Sequence, residues 1–240
     1  MTSRMLQIRV DMYSILSRLF ADHLDPKTHD PETLKEGISS TIARSTTSGF
    51  PGGERIRSTL SNLENAVNDI CECSERALEV QREYAMLFLL PNGVQPYESV
   101  YLDPAGLLKG EPWRDVREFY RRIGLSTAQG EQHPEDHIAV ELGFMCVATS
   151  LEEKCKTTAV SVEKQFMDEH LLLWGFELAE RIIRHPSASF YRIAAELLCG
   201  WLACEAHRLE QMLKECKKPL PSSGLCDVQR EISWRKMTRE

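Results

Sequence analysis

LQIRVDMYSILSRLF, residues 6–20, is the stretch whose reading decides the fold. Leu6, Val10, Tyr13, Leu16 and Phe20 recur at the spacing of one helical face. Ile8, Met12, Ile15 and Leu19 make a second apolar stripe. Two stripes on one helix predict an element covered on most of its sides. Such a helix needs neighbours that bury it, and the rest of the chain supplies further helical patterns. Arg9, Asp11 and Arg18 interrupt the run, so it is no secretory h-region.

Working outward, Asp30-Pro31-Glu32 predicts a helix start, with Asp as cap and Pro in the first turn. Residues 45–53 have loop composition. Ile56, Leu60, Leu63, Val67 and Ile70 line one face of a helix over Arg55–Ile70. Ser74 reads as the cap of a helix from Glu75 to about Leu89. Pro91–Gly110 holds three prolines and three glycines and keeps no period. A long irregular segment inside a compact domain is often functional. Helix resumes over Pro112–Ile123 and stops at Gly124. A polar linker follows, and Pro134 reads as the first residue of a helix to about Cys155. Further helices are expected over Thr158–Arg184 and Phe190–Lys214. Val94–Tyr101 is the nearest approach to a strand, and Pro96 weakens it. The fold class is therefore all-α, a bundle of about eight to ten helices.

The chain has 240 residues, 42% of them hydrophobic, enough for a core without disulfides. Its net charge of -7 opposes nucleic acid as the main partner and suits a basic peptide. No apolar run is long enough for a membrane span. The eight cysteines form no CxxC pair and read as thiols in a reducing cytoplasm. Cys204 and His207 share a helical face, but two ligands do not make a zinc site. The chain carries no GxxxxGK[ST], GxGxxG, GxSxG, HExxH or Glu-x-x-His pattern. These absences favour a binder over an enzyme.

One set of residues stands out. Glu83-Tyr84-Ala85-Met86-Leu87-Phe88 precedes the irregular segment, and Pro96-Tyr97-Glu98-Ser99-Val100-Tyr101 lies within it. Tyr120, Gly124, Pro134-Glu135-Asp136-His137 to Glu141, and His170-Leu171-Leu172-Leu173-Trp174 follow. With Pro134 opening a helix, Glu135 and Asp136 fall in its first turn, where the dipole favours negative charge. A carboxylate left over there is a candidate acceptor for a guanidinium. Tyr97, Tyr101 and Tyr120 offer apolar faces with hydrogen-bonding ends. Plainer readings stand beside these. Pro-Glu-Asp is ordinary capping chemistry, Tyr84, Leu87 and Phe88 have core spacing, and His170 with Trp174 is an i, i+4 packing pair. Pro96–Tyr101 is poor core material and a candidate binding wall.

The order of these pieces resembles the TorD/DmsD/NarJ family of redox-enzyme maturation chaperones. That pattern runs Glu-Tyr/Phe-x-x-Leu-Phe, Pro-x-x-Ser-x-Tyr, Tyr-x-x-x-Gly, Pro-Glu-Asp-His with an acid four later, and His-Leu-x-x-Trp. All five pieces occur here in order, although Leu89-Leu90-Pro91-Asn92-Gly93 replaces a more glycine-rich phrase. The resemblance implies two helical lobes, residues 1–125 and 134–216, joined by a hinge over 126–133; the tail over 217–240, which the pattern does not explain, reads as loosely held on its composition. The resemblance also implies a cytoplasmic protein with no catalysis, no cofactor and no metal. Its partner would be a molybdopterin-containing oxidoreductase subunit, bound through a twin-arginine leader or an N-terminal remnant. Carried over by residue, the peptide-binding positions would be Tyr84, Phe88, Pro96, Tyr97, Ser99, Tyr101, Pro134, Glu135, Asp136, His137 and Glu141. Guanine-nucleotide binding, proposed in the family, finds no phosphate loop here. A hinge between lobes would permit a homodimer by domain swapping. Two rival readings remain: a metal-dependent hydrolase using Glu135, Asp136, His137 and His170, and a purely structural interaction module.

Overall fold

A computed structural model describes residues 3–21, 31–45, 53–125 and 133–215. Ten α-helices lie among these residues. They are α1 (Ser3–Ala21), α2 (Pro31–Ser45), α3 (Gly53–Glu72), α4 (Ser74–Tyr84) and α5 (Glu98–Leu102), followed by α6 (Glu111–Arg122), α7 (Ile138–Ser150), α8 (Glu152–Phe166), α9 (Leu172–Arg184) and α10 (Phe190–Glu215). The all-α expectation holds. The proposed hinge, apart from His133, and the proposed tail fall outside the described residues.

α1 is the central rod. Met5, Leu6, Ile8, Met12, Tyr13, Ile15, Leu16, Leu19 and Phe20 are all buried, so both predicted stripes are covered. α7 runs along it, with α2 and α10 beside it. Tyr13 meets Trp201 of α10 edge-on at 5.4 Å between ring centres. α3 packs between α2 and α10 through the predicted Ile56, Leu60, Leu63, Val67 and Ile70 face. One apolar core joins these helices from Met5 to Met212.

Arg9 sits in that core, fully buried among three carboxylates. Its guanidinium donates to Glu152, to Glu163 Oε2 at 2.5 Å and to Glu205 Oε2 at 2.7 Å. Thr149 Oγ1 donates to Glu163 at 2.9 Å and Tyr13 Oη to Glu205 at 3.2 Å. The cluster ties α1, α7, α8 and α10 at one point.

Several local expectations need correction. The helix assigned to Pro134 begins at Ile138 instead. Residues 134–137 form a turn in which His137 N–H donates to Pro134 C=O at 3.1 Å. Backbone pairing with residues 96–98 holds this turn out of the helix, and His137 becomes its cap: Ala139 N–H donates to His137 Nδ1 at 3.1 Å. That helix also stops at Ser150, and α8 bends at Cys155, where φ is -145° and ψ 61°. The break turns Glu152 inward to Arg9. Ser74 is the first residue of α4 and not its cap; Cys73 holds the cap position, and its thiol donates to the Glu75 carboxylate at 3.2 Å instead of capping a backbone N–H. The stretch Pro91–Gly110 is not wholly irregular, because it contains α5. Gly124 behaves as expected, with φ 79°. Leu125 N–H returns to Tyr120 C=O at 2.8 Å and closes the end of α6.

Two π-helical turns interrupt the helices, Ala85–Leu89 after α4 and Met167–Leu171 between α8 and α9. Each carries a motif segment. Such turns often mark functional positions.

Candidate functional site

Glu83, at the end of α4, has a structural task. Its carboxylate accepts from Ser189, Phe190 and Tyr191 N–H at 2.8, 3.0 and 2.8 Å. It therefore caps α10 from a distant helix, satisfying donors that α10 cannot satisfy itself. Tyr84 and Phe88 are core residues, with their rings 5.7 and 5.1 Å from Tyr191.

The other motif segments meet. Glu98 N–H donates to Asp136 C=O at 2.9 Å, and Ile138 N–H to Pro96 C=O at 3.0 Å. Tyr97 and His137 form an isolated antiparallel bridge, their rings 5.0 Å apart. Asp136 Oδ2 accepts Ser99 N–H at 3.1 Å, so a side chain 37 residues away caps the five-residue α5. Burial raises the Asp136 carboxyl above its ordinary range, while the Ser99 bonds oppose that shift. Ser99 Oγ in turn accepts Lys109 N–H at 3.2 Å, holding Lys109 in the left-handed region at φ 59°. Pro96, Ser99, Asp136 and His137 are buried. Burial, and after it the neighbouring His133, holds His137 well below the usual imidazole range.

Behind the staple lies a second polar group. Glu98, 1% exposed, faces His170 Nδ1 with both oxygens, at 3.1 and 3.2 Å. Glu141, 0% exposed, accepts Trp174 Nε1–H at 3.2 Å through Oε2. Glu141 Oε1 has no donor among the described residues. Burial first, then Glu98 and Asp136, push the Glu141 carboxyl well above its ordinary range. Tyr101, half-buried, packs on Trp174 at 5.2 Å and lies under the Arg181 guanidinium at 4.5 Å. Tyr120, fully buried, stacks on Phe166 at 5.6 Å.

Glu135 alone of the motif acids reaches the surface. Its Oε2 accepts Trp113 Nε1–H at 2.8 Å, and Oε1 lies 3.3 Å from Arg117 Nε. Pro134 beside it is half-exposed.

Two clefts flank α6. One, of about 550 Å³, has Glu98 and His170 in its wall with Glu111, Asp115, Glu118 and Glu169 around it. Leu102, Pro104, Pro112 and Leu173 give it apolar surface, and Arg122 is its one basic side chain among the described residues. The other, of about 430 Å³, is lined by Arg114, Arg117, Arg121, Tyr120, Leu125 and Glu135. α6 is thus a ridge with Glu111 and Asp115 toward the first cleft, Arg114, Arg117 and Arg121 toward the second, and Glu118, which accepts from Arg121, lining both.

The four residues of the hydrolase reading are not brought together. Asp136 turns to Ser99, His137 to Ala139, Glu135 to Trp113 and His170 to Glu98. No group of three or more His, Cys, Asp or Glu among the described residues is placed to hold a metal ion. Sequence reading does not single out Arg9, Trp113 or the α6 acids. The acids had a visible signal, the Glu111, Asp115, Glu118 spacing; Arg9 had none, because its partners are 143 to 196 residues away.

Residues 54–180, just over half the chain, match the family model described as nitrate reductase delta subunit. A protein of Vibrio cholerae named chaperone protein TorD is 28% identical over 214 residues, covering 86% of this chain and 94% of its own length. Its namesake in Vibrio parahaemolyticus is 28% identical over 200 residues, 80% and 90% of the two chains. Another, of Photobacterium profundum, is 26% identical over 166 residues, 66% and 77% of the two chains. The chain belongs to the nitrate reductase delta subunit family, the TorD/NarJ-type group whose motif order it carries.

Proposed function

We propose that this protein is a cytoplasmic chaperone, not an enzyme, for a molybdopterin-containing oxidoreductase subunit. It holds the subunit's twin-arginine leader, or an N-terminal remnant, while cofactor is inserted before export. The observation that carries this reading is the cleft beside α6, which combines carboxylates with apolar walls next to the stapled motif segments. A leader offers the complement, arginines followed by an apolar run. The relatives named chaperones align over most of both chains and support the same reading.

Of the eleven motif positions, Tyr97, Tyr101, Pro134 and Glu135 keep surface for a peptide. The buried positions act through placement. Asp136 holds α5, so Asp136→Ala weakens leader binding by loosening the cleft wall, with a parallel loss of stability. Binding weakens as salt rises, because acid–arginine attraction is screened. The test is affinity capture from the native host followed by mapping of the captured chain. The expected prey is an oxidoreductase subunit that is lost when its N-terminal leader or remnant is deleted. Equal capture of the truncated subunit would sink the leader-binding claim.

A further inference from the structure

Two buried groups of carboxyls share one chemistry and differ in one respect. Glu152, Glu163 and Glu205 surround a guanidinium supplied by Arg9. Glu98, Asp136 and Glu141 are equally buried, yet none forms an ion pair with a lysine or arginine among the described residues. Buried carboxylates are stable when paired, protonated or held by several donors. Asp136 has its Ser99 donors. Glu98 and Glu141 have each other, one histidine and one indole, and Glu141 Oε1 has no donor among the described residues. A buried carboxyl beside a second one favours its protonated form, and Glu141, with burial first and Glu98 next among the causes, is pushed that way. Glu98 also forms part of the cleft wall, its side chain 2% exposed, so it borders the space a ligand would fill while Glu141 lies behind it.

We infer that the cleft takes a guanidinium onto Glu98, as Arg9 is taken in the core, and that its arrival expels the proton held on Glu141 behind it. This rests on the leader-binding reading and adds its pH control. The exchange balances simply: N–H groups of the cation bond Glu98, its charge lets the neighbouring Glu141 ionise, the proton leaves to solvent, and no covalent bond to carbon changes. His170 Nδ1 faces Glu98 at 3.1 Å, and its ring lines the cleft beside it. The groups facing the pair are Asp136 before α7, Tyr120 on α6, His170 on the π-turn and the Trp174 indole on α9. Around the cleft mouth stand Glu111, Asp115, Glu118 and Glu169, with Arg122 3.7 Å from Glu169. Burial and Glu98 both favour the protonated Glu141 carboxyl.

The experiment is calorimetric titration of the full chain with a synthetic peptide carrying an Arg-Arg pair before an apolar run. It is run near neutral pH in phosphate and in Tris, whose ionisation heats differ. Wild type should release about one proton per peptide, and affinity should rise up to about tenfold per pH unit where that proton is released. Glu141→Gln, which keeps an acceptor for Trp174, should bind with no proton release and little pH dependence. Glu98→Gln should lose most of the affinity, and an Ala-Ala peptide should bind weakly to all three proteins. Peptide binding by wild type with no proton exchanged overturns the proton linkage and leaves the leader reading standing. The same proton count in Glu141→Gln overturns it too. No binding of the Arg-Arg peptide at all overturns the leader reading and this inference together. If Glu141→Gln does not fold, the wild-type proton count decides alone.

Discussion

The carboxylates around Arg9 and those around Glu98 are buried alike, but one set is complete and the other faces a cleft. Three glutamates from α8 and α10 converge on one arginine of α1, and no peptide is needed to finish the arrangement. Glu98 and Glu141 come from the short α5 and from α7, and the cation they lack has room to arrive from outside. The difference teaches how one helical bundle separates architecture from recognition. The charge that organises the core is internal and permanent. The charge that recognises is left part-neutralised by a proton until a partner replaces it.

The largest expected effect comes from breaking the complete set. Arg9→Met leaves buried Glu152 and Glu163 without their cation and Glu205 with Arg208 alone, 3.2 Å away. Removing one partner of a buried ion pair typically costs about 3–5 kcal/mol, against a total domain stability of about 5–15 kcal/mol. Arg9→Met should therefore unfold at a much lower urea concentration or fail to accumulate. Adding Glu152→Gln and Glu205→Gln should restore part of the loss. No recovery in the triple variant would mean that Arg9 acts by packing, not charge.

Next comes pH. Burial pushes Glu163 up to about 8, with Glu152 and Glu205 adding to the shift and Arg9 opposing it. A folded-state value above the unfolded one means the native protein holds a proton that the unfolded chain has released. Stability from this group is thus greatest below the ordinary carboxyl range and falls as pH rises toward about 8. The slope is on the order of 1.4 kcal/mol per pH unit for one proton. Urea unfolding across that window should show the decline, and Glu163→Gln should flatten it. Glu141 shifts in the same direction, so Glu141→Gln should flatten it further. A wild-type curve level over the window would deny that Glu163 holds a proton in the folded protein beside Arg9.

Those two effects rest on residues that sequence patterns reveal unequally. The apolar periods of α1, α3 and α10 were legible, because burial of a helical face writes itself every three or four residues. The stop at Gly124 was legible for a local reason, a positive φ that glycine adopts freely. α5 was not legible, since its cap is Asp136, supplied 37 residues later. The same pairing explains why Pro134 fails to open a helix: the turn it begins spends its backbone on Pro96 and Glu98. Of the site, the motif segments were legible as a set but their accessibility was not. Sequence marked Asp136 and Glu135 as equivalent acids, and only the fold separates the buried one from the exposed one.

Glu83 sharpens the comparison from a third direction, because backbone N–H groups compensate it in place of a cation or a proton. Its three bonds hold the start of α10, whose first turn also packs Tyr191 on Tyr84 and Phe88. Helix caps are worth about 0.5–2 kcal/mol, and a buried cap belongs at the upper end. Glu83→Ala should lower the unfolding free energy by about 2 kcal/mol, and Glu83→Gln by less.

The smallest effect belongs to Glu135, and its smallness is informative. Its partner Arg117 is half-exposed, with the side chains 54% and 17% accessible for arginine and glutamate. Exposed pairs contribute about 0–1 kcal/mol. Glu135→Gln retains an acceptor for Trp113 Nε1–H, so thermal unfolding should move by no more than a few degrees. Leader affinity should nevertheless fall and lose part of its salt dependence, because the variant removes a carboxylate that a peptide arginine can reach. A variant with unchanged stability and unchanged affinity would restrict recognition to the Glu98 side of α6. A variant with lower affinity at equal stability would extend the peptide path across the ridge, from the acidic cleft toward the turn at Pro134.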